Sequence, residues 1–337
     1  MVGAVAGVQR QGMSPALFTY SHTIGLASFE GRGFMNPVDV RLDGRRMVYV
    51  LSRSNAQNKN VRVSVTTLDS EFQFEFGLWG TDPGKLTMPT ALVIDRKGSV
   101  YVADEHMNSI SVFEQDGTFV GRWGERGSAA GQINRPSGLA FDSHGDLHVV
   151  DHLNARVQKF TPDGRFISAF GTFGAGAGQL NYPWGIAIDA RDNFWVADWR
   201  NDRIQRFSPE GAFISAHGRT GSRAGEFRRP SGVAVDSNGD VFVADWENDR
   251  VQVFSPSMKH RETLWGDADL SRWCEEFLAV NPEQRDQRLA SGIPGHEEKL
   301  FWRPSAVCTT ADGLVLVADS CRHRIQIYQR APEPAAV

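Results

Sequence analysis

The sequence predicts an all-β chain folded as a six-bladed β-propeller, with the N-terminal strand closing the last blade. Three observations predict it. The first is a long recurring phrase that opens on proline. Pro37, Pro89, Pro136, Pro183, Pro230 and Pro304 are spaced 52, 47, 47, 47 and 74 residues apart, and a constant period marks stacked supersecondary units. Each proline leads after 15 residues to an Asp or its substitute: Ser52, Asp104, Asp151, Asp198, Asp245 and Asp319. The second is the content of one period. The second unit holds four β-branched or aromatic runs, Leu92–Asp95, Val100–Asp104, Ile110–Phe113 and Phe119–Trp123, separated by Gly or Asp turn signals. The links leave no room for helices, so the four runs form an antiparallel meander, the signature of a propeller blade. The third is the pair of chain ends. The sixth unit stops after its third strand at Tyr328, and "YSHTIG", Tyr20 to Gly25, belongs to no unit of its own. Gly25 precedes Pro37 by 12 residues, as Gly77, Gly124, Gly171 and Gly218 precede their prolines. Closing the ring with this strand removes exposed sheet edges.

In chain order, residues 1–17 form an N-terminal extension. It lacks a basic stretch ahead of its short apolar run and makes a poor signal peptide. Residues 18–330 form a single propeller domain, and residues 331–337 a tail. Two insertions break the period. In blade one, five extra residues sit in "RSNAQNKN" between strands two and three. Between blades five and six, Gly266 to Pro304 spans 38 residues where 12 is the norm. This insertion, 267–300, is expected to be helical. "DLSRWCEEFLAVN" places Leu270, Trp273, Phe277 and Leu278 at helical spacing, with Asp267 or Asp269 as N-cap and Pro282 behind it. "PEQRDQRLA" supplies a further turn or two.

Composition narrows the function classes. The net charge of −4 and pI near 6.2 argue against a surface built to grip nucleic-acid phosphates. Three cysteines, Cys274, Cys308 and Cys321, share no metal-type spacing and cannot all pair. A reducing compartment, the cytoplasm, is the simpler expectation. No stretch is long enough to span a bilayer.

"VADWRNDRIQRF", "GAFISAHG" and "GEFRRPSGVAVD" resemble NHL repeats, the modules of six-bladed propellers, and the resemblance covers Tyr20 to Tyr328. It implies the fold and leaves function open. Such propellers include protein- and RNA-binding modules, sensor domains and the metal-dependent lyase of peptide amidation. That lyase places zinc-binding histidines directly after the blade-opening proline. Here those positions hold Val38, Thr90, Ser137, Trp184, Ser231 and Ser305, so that activity is not carried over.

A repeat separates scaffold from site, because features shared by all blades are structural. Asp104, Asp151, Asp198, Asp245 and Asp319 recur, as do Arg156, Arg203, Arg250 and Arg324 five residues after their Asp. These are expected to pair across the turn between strands two and three. Gly138, Gly185 and Gly232 recur where backbones should approach near the axis. The residue after the Asp varies: Arg53, Glu105, His152, Trp199, Trp246 and Ser320. Strand parity puts this slot, the residue after each proline and both insertions on one face, here called the top.

The candidate ligand- or partner-binding residues are therefore Trp184, Trp199, Arg200, Trp246, Glu247, Arg53, His106, His152, Asp39 and Trp273. The indoles are expected to form an aromatic wall, unless they merely pack between blades. The helical insertion either covers them as a lid or stabilises one interblade seam. Asp39 stands where other blades have Gly or Ala, and an ion pair with Arg41 or Arg53 is the preferred account. His106 and His152 lack a third ligand, so no metal and no other cofactor is expected. The best overall reading is a non-catalytic recognition scaffold for a protein partner or small ligand. The alternative is a lyase or hydrolase in a lidded central pocket. RNA binding ranks third, because Arg53, Lys59, Arg200 and Arg322 share the face with Glu105, Glu247, Glu275 and Glu276.

Overall fold

The computed structural model describes residues 16–53, 59–291 and 293–332. Six four-stranded antiparallel sheets follow one another in sequence order. Blade four shows the pattern: Pro183–Ile188 innermost, then Phe194–Asp198, Arg203–Phe207 and Phe213–His217. In blade six, Pro304–Thr309, Leu314–Asp319 and Arg324–Arg330 are completed by the N-terminal strand Phe18–Ile24. That strand pairs antiparallel with Arg324–Arg330 from Phe18 opposite Arg330 to Ile24 opposite Ile325. The ring is thus closed by the chain ends, as the position of Gly25 predicts. Residues 54–58 of the blade-one insertion and 1–15 of the N-terminal extension lie outside the described residues.

Each first strand begins at its proline, three residues earlier than Leu92 suggests for blade two. Proline has no N–H to give, yet Pro89 still lies opposite Asp104, and the register slips just after it. The same slip follows every blade-opening proline. The slipped residue is a bulge, freed from the ladder. In four blades it carries a hydroxyl that donates to the next blade's proline carbonyl. Thr90 reaches Pro136 at 2.7 Å, Ser137 reaches Pro183 at 3.0 Å, Ser231 reaches Pro304 at 3.3 Å and Ser305 reaches Pro37 at 3.0 Å. The other two slots hold Val38 and Trp184. Beside Val38, the Asp39 carboxylate crosses the seam instead and accepts the Leu92 N–H at 2.9 Å. Close approach at the axis explains the glycines. A Cβ on Gly138 would meet the Trp184 carbonyl oxygen at 2.5 Å, and one on Gly185 the Ser231 carbonyl oxygen at 2.4 Å.

The repeated Asp–Arg pairs hold the blades together. Asp198 is fully buried and accepts the Asn181 N–H, the Arg203 Nε–H and the side-chain amides of Asn201 and Gln205. Arg203 meanwhile donates to the carbonyls of Ala175, Gly176 and Gln179 in the preceding interblade link. Asp151, Asp245 and Asp319 repeat this with Arg156, Arg250 and Arg324. Where the pair is broken, another arginine serves the link. In blade two Arg122, from the fourth strand, donates to the Thr81 and Lys85 carbonyls. In blade one, where Ser52 replaces the Asp, buried Arg62 donates to the Phe29 and Gly33 carbonyls and pairs with Glu75.

The insertion forms three helices: α1 Arg272–Val280, α2 Pro282–Ala290 and α3 Gly295–Lys299. Ser271, rather than Asp267 or Asp269, caps α1, its Oγ accepting the Cys274 N–H at 3.1 Å. A serine at this position satisfies the orphan donor of the first turn. Contacts of the insertion run to blades six and one. Trp273 is 3% exposed and donates its indole N–H to the Ser70 carbonyl at 2.6 Å. It packs on Phe34 among Ile24, Val48 and Leu316. The insertion therefore fills the seam where the ring closes.

Two outcomes test this account. Deleting residues 1–25 removes the buried Phe18 and Ile24 side chains and should lower stability by about 3–6 kcal/mol, read as a lower denaturation midpoint and loss of solubility. Asp198→Ala strands the donors of Arg203, Asn201 and Gln205 and should cost about 3–5 kcal/mol. Any loss of function in that variant should track the loss of folded protein in its melting curve.

Candidate functional site

The top face holds the turns between strands two and three and the links between blades. After the buried Asp, the chain makes one turn of 3-10 helix: His152–Asn154, Trp199–Asn201, Trp246–Asn248 and Ser320–Arg322. The turn ends on a left-handed residue. Except at Ala155, that residue's side chain then grips the next blade, as does left-handed Asn108 in blade two. Asp202 accepts the Arg229 N–H at 2.8 Å, Asp249 the Arg303 N–H at 2.7 Å, Asn108 the Arg135 N–H at 2.9 Å, and His323 Nδ1 the Asn36 N–H at 3.0 Å. The gripped residue sits just before the blade-opening proline and has φ between +49° and +55° at Asn36, Arg135, Arg229 and Arg303, and ungripped Tyr182 has φ +51°. A non-glycine residue in this region is strained unless its surroundings hold it. The grip therefore fixes where these side chains stand.

Three indoles line one side of this face, each partly exposed. Trp184, freed by the bulge, lies 6.2 Å from Trp199 and edge-on to His152 at 5.1 Å. Trp246 follows in blade five. Arginines cover two of them: Arg229 over Trp199 at 4.4 Å and Arg303 over Trp246 at 4.4 Å. Arg200 lies over Tyr182 at 4.5 Å, and Arg322 over Trp302 at 5.5 Å. These are cation–π stacks. Glu247 is exposed beside Trp246. On the opposite side, Arg53 of blade one pairs with Glu105 of blade two at 2.5 Å.

His152 joins the two sides. It is 8% exposed and its Nδ1 donates to the Pro183 carbonyl at 3.0 Å. Burial pushes its pKa down to about 4, and the positive charges of Arg135, Arg200 and Arg53 add to the effect. It is a neutral packing residue at neutral pH.

The axis itself is nearly filled. The cavity there is about 30 Å³, lined by first-strand residues including Val38, Asp39, Thr90, Ser137, Trp184 and Ser305, and that is the volume of about one water. Asp39 is buried in it and pairs with Arg41 at 2.6 Å, not with Arg53. Burial raises its carboxyl above the ordinary value against the pull of Arg41. A larger cleft of about 310 Å³ lies on the outer rim, between the N-terminal strand, the Leu68–Ser70 turn and the start of the insertion. Its polar groups are already engaged: Tyr20 Oη accepts the Asp269 N–H, and His22 Nε2 donates to the Leu68 carbonyl.

The structure thus brings Trp184, Trp199, Arg200 and His152 together, with Trp246 and Glu247 alongside. Arg53 stands across the mouth in its ion pair. His106 is exposed, and its backbone is tied at both ends, the N–H donating to Asp104 and the carbonyl accepting from the Asn108 amide. Trp273 does not belong to this group, because it is buried in the seam between blades six and one. Among the described residues, the insertion's hydrogen bonds and core packing run to blades six and one, and none involves Trp184, Trp199 or Trp246. The residues missed by sequence reasoning are Arg135, Tyr182, Arg229 and Arg303. The internal control that singles out the slot after the Asp finds them when applied one residue before each proline. Among the described residues, no group of three His, Cys, Asp or Glu side chains is placed to hold a metal ion, and no helix is long and apolar enough to cross a membrane.

The family model for the NHL repeat matches residues 227–254 and 301–328. The chain carries NHL repeats. A second model, the SMP-30/gluconolactonase/LRE-like region, matches residues 129–218. No curated protein matches the chain in sequence. Among solved structures, the chain is similar to a catalytically inactive virginiamycin B lyase from Staphylococcus aureus with quinupristin. Identity is 13%, TM-score 0.58, and the match covers 93% of this chain and 100% of that one. It is similar to a protein of unknown function from Bacteroides thetaiotaomicron at 17% identity and TM-score 0.61, covering 91% and 72%. It is also similar to a candidate gluconolactonase at 13% identity and TM-score 0.61, covering 93% and 94%. At these identities the likeness carries the propeller fold alone.

The burial of His152 has a measurable consequence. Below pH 6.5 an unfolded chain protonates this histidine while the folded one keeps it neutral down to about 4. Its contribution is therefore intact above pH 6.5 and is lost as pH falls, reaching about 3 kcal/mol at pH 4. Denaturant unfolding of wild type and His152→Gln across that range should show a shallower acid slope in the variant.

Proposed function

We propose that the protein is a non-catalytic recognition scaffold that binds a protein partner or small ligand on the top face of its propeller. The observation that carries this reading is the cluster of part-exposed Trp184, Trp199 and Trp246, from adjacent blades, on an open face beside a nearly filled axis. Tryptophan gives a large contact area at low entropic cost, and its N–H fixes orientation. Arg200 and Glu247, in successive turns, give the bound ligand a polarity. The position of these residues is held by buried carboxylates and interblade grips, so the face is organised before binding.

The reading treats residues 18–330 as one unit and places it in the cytoplasm, on the strength of three free cysteines. The lyase or hydrolase reading draws on the likeness to virginiamycin B lyase and the candidate gluconolactonase. An enclosed central pocket would favour it, but the axial cavity of about 30 Å³ does not.

Trp199→Ala combined with Trp246→Ala should leave the melting curve unchanged and weaken ligand binding by about 2 kcal/mol or more. The check is to capture ligands from the native source on wild-type and variant protein and to identify proteins and small molecules by mass spectrometry. Equal recovery of the same ligand on both would overturn the top-face site.

A further inference from the structure

We propose that the top face is a receptor for an acidic peptide segment of a protein partner, whose carboxylates are taken by Arg135, Arg200, Arg229, Arg303 and Arg322. This rests on the recognition reading above and names the chemistry of the ligand.

The chain carries a net charge of −4, yet this face gathers five arginines and few acids, with the Asp249 carboxylate in electrostatic reach of Arg303 and Arg322. Among the described residues, none of these five arginines has a carboxylate partner in an ion pair, whereas the acidic groups nearby are committed. Glu105 is held by Arg53. Asp202 accepts the Arg229 N–H and the Thr220 hydroxyl, and Asp249 accepts the Arg303 N–H. Glu247 is an exposed acid within the band, and exposed Glu297 lies at its blade-six end beside Arg322. Arg322 has one tie, from its NH2 group to the Glu297 carbonyl at 3.0 Å, and its Nε is buried without a partner.

The aromatic rings decide what kind of anion fits. A guanidinium lying flat on an indole or phenol ring keeps its N–H donors in the plane of its edge, pointing away from the stack. That edge matches a carboxylate in a two-bond fork. Arg200, Arg229 and Arg303 are held against rings at 4.4–4.5 Å, which restricts them and reduces the entropy lost when a carboxylate binds. The same stacks cover one face each of Trp199 and Trp246, which works against base stacking by a nucleic acid. Glu247 within the band opposes a uniformly charged phosphate chain and suits a peptide that can place a neutral or basic residue there. The arginines run from blade three to blade six as a band, not a pocket, and the axis holds only about 30 Å³. An extended ligand fits that shape.

The full-length protein should be titrated with synthetic oligoglutamate, and in parallel with oligouridylate and oligolysine, following indole fluorescence and heat. Oligoglutamate should bind and quench, weakening as salt rises. Arg229→Glu with Arg303→Glu should weaken it by about tenfold or more. Arg229→Gln with Arg303→Gln should weaken it less and serves if charge reversal lowers the melting temperature. Absence of oligoglutamate binding, equal binding by wild type and arginine variants, or tighter binding of oligouridylate would overturn the proposal. The natural ligand separates the two readings. If its capture survives the arginine variants but is lost in the Trp199/Trp246 double variant, the acidic-peptide proposal falls and the recognition face stands. If neither set of variants alters its capture, both fall.

Discussion

The carboxylate at the end of the second strand carries three loads at once. It accepts an N–H from the link that enters its own blade, it holds the arginine that stitches that link's carbonyls, and it starts the turn that leads to the third strand. Asp198 shows all three with Asn181, Arg203 and the Trp199–Asn201 turn. Burial pushes the carboxyls of Asp198, Asp245 and Asp319 upward against the donors that surround them. A buried charge is tolerated only with that many partners. The motif is therefore a complete hydrogen-bonded unit, and it recurs because every link between blades carries the same backbone groups to satisfy.

Everything variable hangs on this invariant part. The turn after the Asp ends in a left-handed residue whose side chain, except at Ala155, holds the residue before the next blade's proline, and the proline is followed by a bulge. Three positions per blade are thereby fixed in space with little constraint on their side chains. In blades four and five these positions carry Tyr182, Trp184, Trp199, Arg229 and Trp246. In most other blades the bulge position carries the hydroxyl belt that ties neighbouring blades at the axis. Trp184 departs from that belt and contributes its indole to the open face.

Ring closure places a different demand on the molecule. The covalent break lies inside blade six, whose third and fourth strands come from opposite chain ends, and the seam to blade one lies beside it. The helical insertion covers this seam. Trp273 enters the core beneath Phe34, the Ser271 hydroxyl donates to the Gly25 carbonyl, and Arg272 pairs with Glu71 of blade one. The outer faces of α1 and α2 remain polar except for Phe277, Val280 and Leu289, which are exposed.

The period of 47, the four runs per unit and the offset of Gly25 are local properties of the chain, and they suffice to determine the blades, their order and the way the ring closes. The repeated Asp and Arg were legible as scaffold for the same reason, because each contact spans one turn or one link. The tertiary structure alone decided how open each top-face side chain is. That depends on ring radius, on the size of the neighbouring blade's bulge residue and on the path of the insertion. Helical spacing in "DLSRWCEEFLAVN" shows that Trp273 shares an apolar stripe, but only the folded ring shows that a seam core, and not Trp199 and Trp246, receives it. His152 and Trp199 occupy the same slot of the repeat. One is buried and the other partly open: Tyr182 and Trp184 of the adjacent blade crowd the first, while Arg229 lies over the second.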